Sequence, residues 1–207
     1  MKKLLLSILI LGICSLAQAS VITIDFNDLS AGDVVTDQYS SSGVEFALLN
    51  TPAGYPAGPT AGAISGDVYD GASGMALIPG DDLNDPFYDM EIRFAQTIDF
   101  FSFSAYDSDE AFSAIAYLGD AEVATLNFSS GSNLQRYDII FGEIGGAQLF
   151  DRVVLDITEG QQGSVLGGPE FFDNLSFNQT SAVPEPSTLI LFGIGTLGLA
   201  GFSRKKN

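Results

Sequence analysis

Histidine and tryptophan are absent from the 207 residues, and cysteine occurs once. Lysine occurs only near the two ends, at Lys2, Lys3, Lys205 and Lys206. Each absence removes a class of chemistry. Without histidine there is no Ser-His-Asp triad, no Cys-His pair and no histidine-held zinc or iron. The single Cys14 lies in a segment expected to be cleaved off, so the mature chain has neither disulfides nor thiolate metal sites. The stretch from Ser20 to Ala182 has no lysine, which excludes Ser-Lys and Schiff-base mechanisms. No glycine-rich phosphate cradle precedes a helical pattern either. What remains as a catalytic kit is paired carboxylates, which need two groups about 5 to 10 Å apart in a cleft. With so many acids some such pair is inevitable, and no catalytic residue is assigned.

Cations are scarce where acids are dense. Of the 26 acidic residues, all but Glu185 lie between Ser20 and Ala182, against only Arg93, Arg136 and Arg152. Twenty-five acids and three cations give this body a formal charge of −22. Such a surface repels nucleic acid and anionic lipid, and neither is expected as a partner.

The other five cations stand at the two ends. Met1, Lys2 and Lys3 form a basic start, Leu4 to Leu16 an apolar core, and Ala17-Gln18-Ala19 a small-x-small cleavage site. This pattern predicts a signal peptide over residues 1–19, cut before Ser20 by signal peptidase. A lipoprotein anchor at Cys14 is disfavoured, because Ile13 stands where a small residue is needed. At the far end Val183, Pro184, Glu185, Pro186 and Ser187 lead into an apolar run from Thr188 to Phe202, stopped by Arg204, Lys205 and Lys206. Fifteen helical residues reach about 22 Å against a hydrocarbon core of about 30 Å, so the run suits a provisional anchor better than a permanent one. Gly193, Gly195, Gly198 and Gly201 thin the helix for close approach by another. The terminal cations stay cytoplasmic, which places the body outside.

This three-part tail over residues 183–207 resembles the PEP-CTERM sorting signal of Gram-negative bacteria: a Pro-Glu-Pro triplet, a glycine-rich transmembrane helix and a basic terminus. The resemblance implies an exosortase as processing partner, cutting near the triplet at the inner membrane. It further implies delivery to the cell surface or an exopolysaccharide matrix. It concerns destination and covers only the tail.

Residues 20–182 form one domain with strand periodicity except over Thr51 to Gly74. Runs at Val21 to Phe26, Val44 to Leu49, Met75 to Ile78, Met90 to Phe94, Ile98 to Tyr106, Phe112 to Leu118, Glu122 to Phe128, Tyr137 to Phe141, Arg152 to Ile157 and Phe171 to Phe177 are separated by turn residues. Gly119-Asp120 predicts a tight hairpin, and residues 129–133 a broader turn. The fold class is all-β, a two-sheet antiparallel sandwich of the jelly-roll kind, flanked by the signal helix and the C-terminal helix. Thr51 to Gly74, rich in Gly, Pro and Ala, is expected as a long loop over one end, whose Tyr55 and Tyr69 are either part of a ligand surface or, as isolated loop tyrosines more often are, simply packed or exposed.

The two ends of the domain carry the most site-like pattern. Asp25, Asn27 and Asp28 close the first strand, and Asp173 opens the last. The layout and the Asp173-Asn174-x-x-Phe177 ending resemble extracellular jelly-roll modules, carbohydrate-binding modules among them. That resemblance implies a terminal acidic pair holding a structural calcium, whose about six to eight oxygen ligands carboxylates, amides and backbone can supply. Turn capping explains the same residues without a metal. Asp107-Ser108-Asp109-Glu110 and Asp81-Asp82-Leu83-Asn84-Asp85 lack the length and spacing of an EF-hand and read as solvated turns. The function expected is a non-enzymatic exported protein with a structural or glycan-binding role in exopolysaccharide or biofilm. A secreted carboxylate-dependent glycoside hydrolase is the competing class.

Overall fold

The computed structural model describes residues 20–64, 74–80, 87–106, 111–129, 136–157 and 171–179, which all fall in one compact unit, Ala19–Thr180. The signal and C-terminal helices expected from the sequence lie outside these residues, as do Tyr69 and both EF-hand-like acidic clusters. Among the described residues no helix is long and apolar enough to cross a membrane.

Eleven strands are described: β1 (Ser20–Ile24), β2 (Val44–Leu48), β3 (Thr60–Ile64), β4 (Gly74–Ile78), β5 (Met90–Ile98), β6 (Phe100–Tyr106), β7 (Phe112–Leu118), β8 (Ala121–Phe128), β9 (Arg136–Gly142), β10 (Phe150–Asp156) and β11 (Phe171–Gln179). Alternation is the reason these segments extend. In β7 Phe112, Ala114 and Ala116 are buried while Ser113, Ile115 and Tyr117 face the other way. Gly119-Asp120 joins β7 to β8 as the expected two-residue turn, with Leu118 opposite Ala121 and Gly119 at φ +59°.

One sheet has five strands in the order β2-β5-β10-β7-β8. The other has six, in the order β3-β4-β11-β6-β9 with β1 also on β11. All pairings between the strands are antiparallel. Among the described strands only β3–β4 and β7–β8 follow one another within a sheet; every other step changes sheet. Phenylalanines from both inner faces fill the space between. Phe94 of β5 meets Phe101 and Phe177 at 6.0 and 5.1 Å between ring centroids, and Phe150 meets Phe141 at 6.0 Å. Each fully buried ring contributes about 1.5 to 3 kcal/mol of hydrophobic stabilisation, which a cysteine-free domain needs in place of disulfides.

Two expectations are corrected. The segment from Thr51 to Gly74 is not all loop, since β3 lies within it. Thr60, Ala61 and Gly62 are all buried, so this strand is covered on both faces and shows no period of two. Gly62 also lies against Ile78, whose Cδ1 would stand 2.4 Å from an added Cβ. The run from Ile98 to Tyr106 is not one strand either. It divides at buried Asp99, where Asn178 Oδ1 accepts the backbone N–H groups of Asp99 and Phe100 at 3.1 and 3.0 Å. Tyr55 packs on Tyr88, with ring centroids 4.7 Å apart.

Candidate functional site

The first candidate is the junction where β1 ends beside β11. Ile24 pairs with Leu175, and the ladder of β11 with β6 shifts between Asp173 and Ser176. Asn174 sits in this bulge at φ +57°, and Phe26, just past β1, has the same value. A left-handed phenylalanine is costly, by about 1 kcal/mol or more. The turn sends the Phe26 ring into the core against Tyr39 and Phe46, at 5.6 and 5.9 Å, with Asp25 and Asn27 on either side of it in the chain.

Of the four residues expected to hold calcium, the structure brings two together. Asp25 lies close enough to Asp173 for its charge to act on it. Asp173 is only 3% exposed. Its Oδ1 accepts the Asn174 N–H at 2.7 Å and its Oδ2 the Asn174 side-chain amide at 2.9 Å. Burial pushes its carboxyl up to about 6, with the Asp25 charge adding to the rise, while the Asn174 N–H and the Arg136 charge partly offset it. Asn27 and Asp28 are engaged elsewhere. Asn27 Oδ1 accepts the Met75 N–H at 3.0 Å, tying the turn after β1 to β4, and Asp28 Oδ1 accepts the Tyr39 hydroxyl at 2.5 Å. Burial, with that bond, raises the Tyr39 phenol well above its ordinary value. Among the described residues no three acidic side chains converge to hold a metal. The donors in place are therefore a carboxylate pair, short of calcium's usual six to eight oxygens.

The second candidate is the outer face of the five-stranded sheet, which the sequence did not flag. Strand register lines up Glu45, Arg93, Arg152, Tyr117 and Glu122 across all five strands. Two of the body's three cations are thus directly opposite one another, which is destabilising unless a counter-charge intervenes. Glu91 supplies it. One position back on the same face of β5, its side chain is 3% exposed beneath the two arginines. Arg152 Nη1 donates to Glu91 Oε1 at 3.0 Å, and Arg93 Nε stands 2.6 Å from Oε2, off the hydrogen-bonding direction.

Arg152 is held on three sides. Its Nη2 donates to the Gly119 carbonyl at 3.2 Å, and its guanidinium lies 4.3 Å from the Tyr117 ring centroid. Gly119 in turn donates its N–H to both oxygens of Asp151 at 3.1 Å. Arg93 differs: its side chain is 65% exposed, and among the described residues its two terminal nitrogens have no acceptor. It separates two clefts. One, of about 320 Å³, is lined by Arg93, Arg152, Gly119, Asp120 and Asp151. The other, of about 220 Å³, is lined by Arg93, Glu45, Ser40, Gly43 and Ala95. The signal available in the sequence was the Glu91-Ile92-Arg93 alternation in a chain nearly free of cations. What it could not show was Arg152 beside it, 59 residues on.

The expected cleavage site and sorting residues lie outside the described residues, except Ser20, which opens β1 opposite Gln179 at the end of β11. The family comparison concerns this tail: residues 182–205 match the PEP-CTERM protein-sorting motif. The chain therefore carries the mark of an exported protein processed at the membrane. A search of curated proteins finds no match. Among solved structures the chain is similar to the lectin domain of lectinolysin complexed with Lewis B antigen, at 14% identity over 52% of this chain and 72% of that one, TM-score 0.31. It is similar to a fucose-binding module of Streptococcus pneumoniae, at 16% identity over 80% of this chain and 96% of that one, TM-score 0.30. A third similarity is to the enzymatically active domain of tailspike protein 4 of bacteriophage CBA120, at 14% identity over 74% of this chain and 21% of that one, TM-score 0.34. At these scores the likenesses assign no role to any residue.

Proposed function

We propose that this is an exported, non-catalytic β-sandwich protein that binds glycan on the outer face of its five-stranded sheet, at the cell surface or in an exopolysaccharide matrix. The observation that carries the binding role is the pair of clefts about Arg93. An open, shallow surface lined by arginine, aspartate and backbone groups presents the donors and acceptors that sugar hydroxyls require. The sorting motif supports the destination. Signal peptidase removes residues 1–19, and an exosortase acts near Pro184-Glu185-Pro186. A secreted hydrolase is the alternative, for which Asp120 and Asp151 of the larger cleft are the carboxylates to test. Calcium is the cation that Asp25 and Asp173 would take, as a structural ion supplied with further oxygens.

Three measurements test these statements. A glycan array with parallel hydrolysis assays separates binding from catalysis: retention without turnover is expected, and turnover abolished by one Asp or Glu substitution would sink the binding role. Mass spectrometry of the mature protein should find Ser20 first and an end near the triplet; intact Lys205 and Lys206 would count against processing. Millimolar calcium should raise the melting temperature at pH 7.5 and chelator reverse it. A midpoint indifferent to both rules the ion out.

A further inference from the structure

Building on the glycan-binding reading above, and resting on it, we propose that Arg93 is the specificity-determining residue of this face: it takes the carboxylate of a single uronate within an otherwise neutral glycan.

The two arginines of the row share Glu91 and differ in what else they touch. Arg152 is held by Glu91, the Gly119 carbonyl and the Tyr117 ring. Arg93 has only its Nε beside Glu91, 2.6 Å from Oε2, which leaves the terminal edge of its guanidinium open beside both clefts. That edge presents two parallel N–H groups, the geometry that matches a carboxylate and that a lysine cannot copy. Stability alone is a poor reason for the arrangement. A buried ion network is weakly stabilising at best, and an arginine opposite an arginine is a liability that a neutral residue at position 93 would remove.

The surroundings limit the ligand to one charge. Glu45 and Glu122 stand at the ends of the row, and Asp120 and Asp151 line the larger cleft. These acceptors suit sugar hydroxyls and repel a second carboxylate. The body's formal charge of −22 opposes any polyanion, over a range of about 10 Å at 0.1 M salt. An isolated uronate avoids that repulsion, since its one charge lies within hydrogen-bonding distance of Arg93 and its neighbours carry none. The clefts on either side offer places for the adjoining neutral rings.

The test uses the full-length chain in detergent against an array of paired oligosaccharides that differ only in oxidation of one C6 hydroxymethyl group to a carboxylate, together with polyuronates. Wild type is compared with Arg93→Gln and Arg93→Lys, each checked for an unchanged fold by its thermal melt. Arg93→Lys keeps a cation over Glu91, so it remains informative if the glutamine variant fails to fold. Wild type should prefer the uronate member of a pair by about 10- to 100-fold. Both variants should lose that preference and keep the affinity for the neutral member. Polyuronates should bind less tightly than isolated uronates at low salt and gain as salt rises. A preference that survives in both variants, neutral glycans bound with no preference, or a polyuronate bound most tightly at low salt each overturns the role of Arg93 and leaves glycan binding standing. No retention of any glycan overturns glycan binding itself.

Discussion

Glu91 and Asp173 are equally buried carboxylates on the outer faces of opposite sheets, and the chain handles their charge in opposite ways. Glu91 receives two guanidiniums. Asp173 is buried and, among the described residues, is hydrogen-bonded by the amides of Asn174, with the Asp25 charge nearby, so it holds its proton up to about pH 6. The difference teaches where this protein can tolerate an anion. With three cations in an otherwise acidic body, two are spent around one glutamate, and the other face has Arg136, whose charge only partly offsets the burial of Asp173, with neutral donors and protonation for the rest.

The largest effect expected from breaking this contrast is at Glu91. Glu91→Gln removes the counter-charge between Arg93 and Arg152 and should destabilise the domain by about 2 to 3 kcal/mol in urea melts at pH 7.5, discounted for the partial exposure of both arginines. A loss under about 0.5 kcal/mol would mean that solvent already screens the two cations from each other. Asp173→Asn should act in the reverse direction. The folded-state pKa of about 6 lies above the unfolded value of 3.8, so the contribution of Asp173 is fully present below about pH 4. It is lost as pH rises through about 6. Above that window the substitution should stabilise by about 1 to 2 kcal/mol, and below it the difference should vanish or reverse. Measuring wild type minus variant across pH isolates this group from the other acids; a difference independent of pH would refute the assignment. Smallest is Asn174→Gly, which relieves the left-handed backbone but deletes the side-chain amide on Asp173. Stability should change by less than about 1 kcal/mol, while the Asp173 midpoint followed by NMR moves higher.

Much of the architecture was readable because a strand half-covered by core writes its period into the chain. β7 and β8 show this plainly, with Gly119-Asp120 between them. β3 escaped because burial on both faces erases the alternation and small residues carry little hydrophobic signal. The meeting of Asp25 with Asp173 was legible from the ends of the domain, since first and last strands often pair. The partners that draw Asn27 and Asp28 away were not, because Met75 and Tyr39 reach them only through the turn at Phe26. The arginine row was invisible for a related reason. Its five members come from five strands, and only register, a property of the assembled sheet, puts them in line.

β11 leads directly into the sorting tail, and it is an interior strand, laddered to β6 on one side and to β1 and β4 on the other. A pull transmitted along the chain from the tail therefore enters the domain at Gln179, which faces Ser20 of β1, and two residues further in, at Phe177, it meets the β6 ladder as well. Such a load runs along the strand axis and shears two hydrogen-bond ladders at once, where an edge strand would peel away one bond at a time. A tether fixed beyond Gln179 therefore loads an interior strand, and drawing that strand out means parting it from β1 and β6 together.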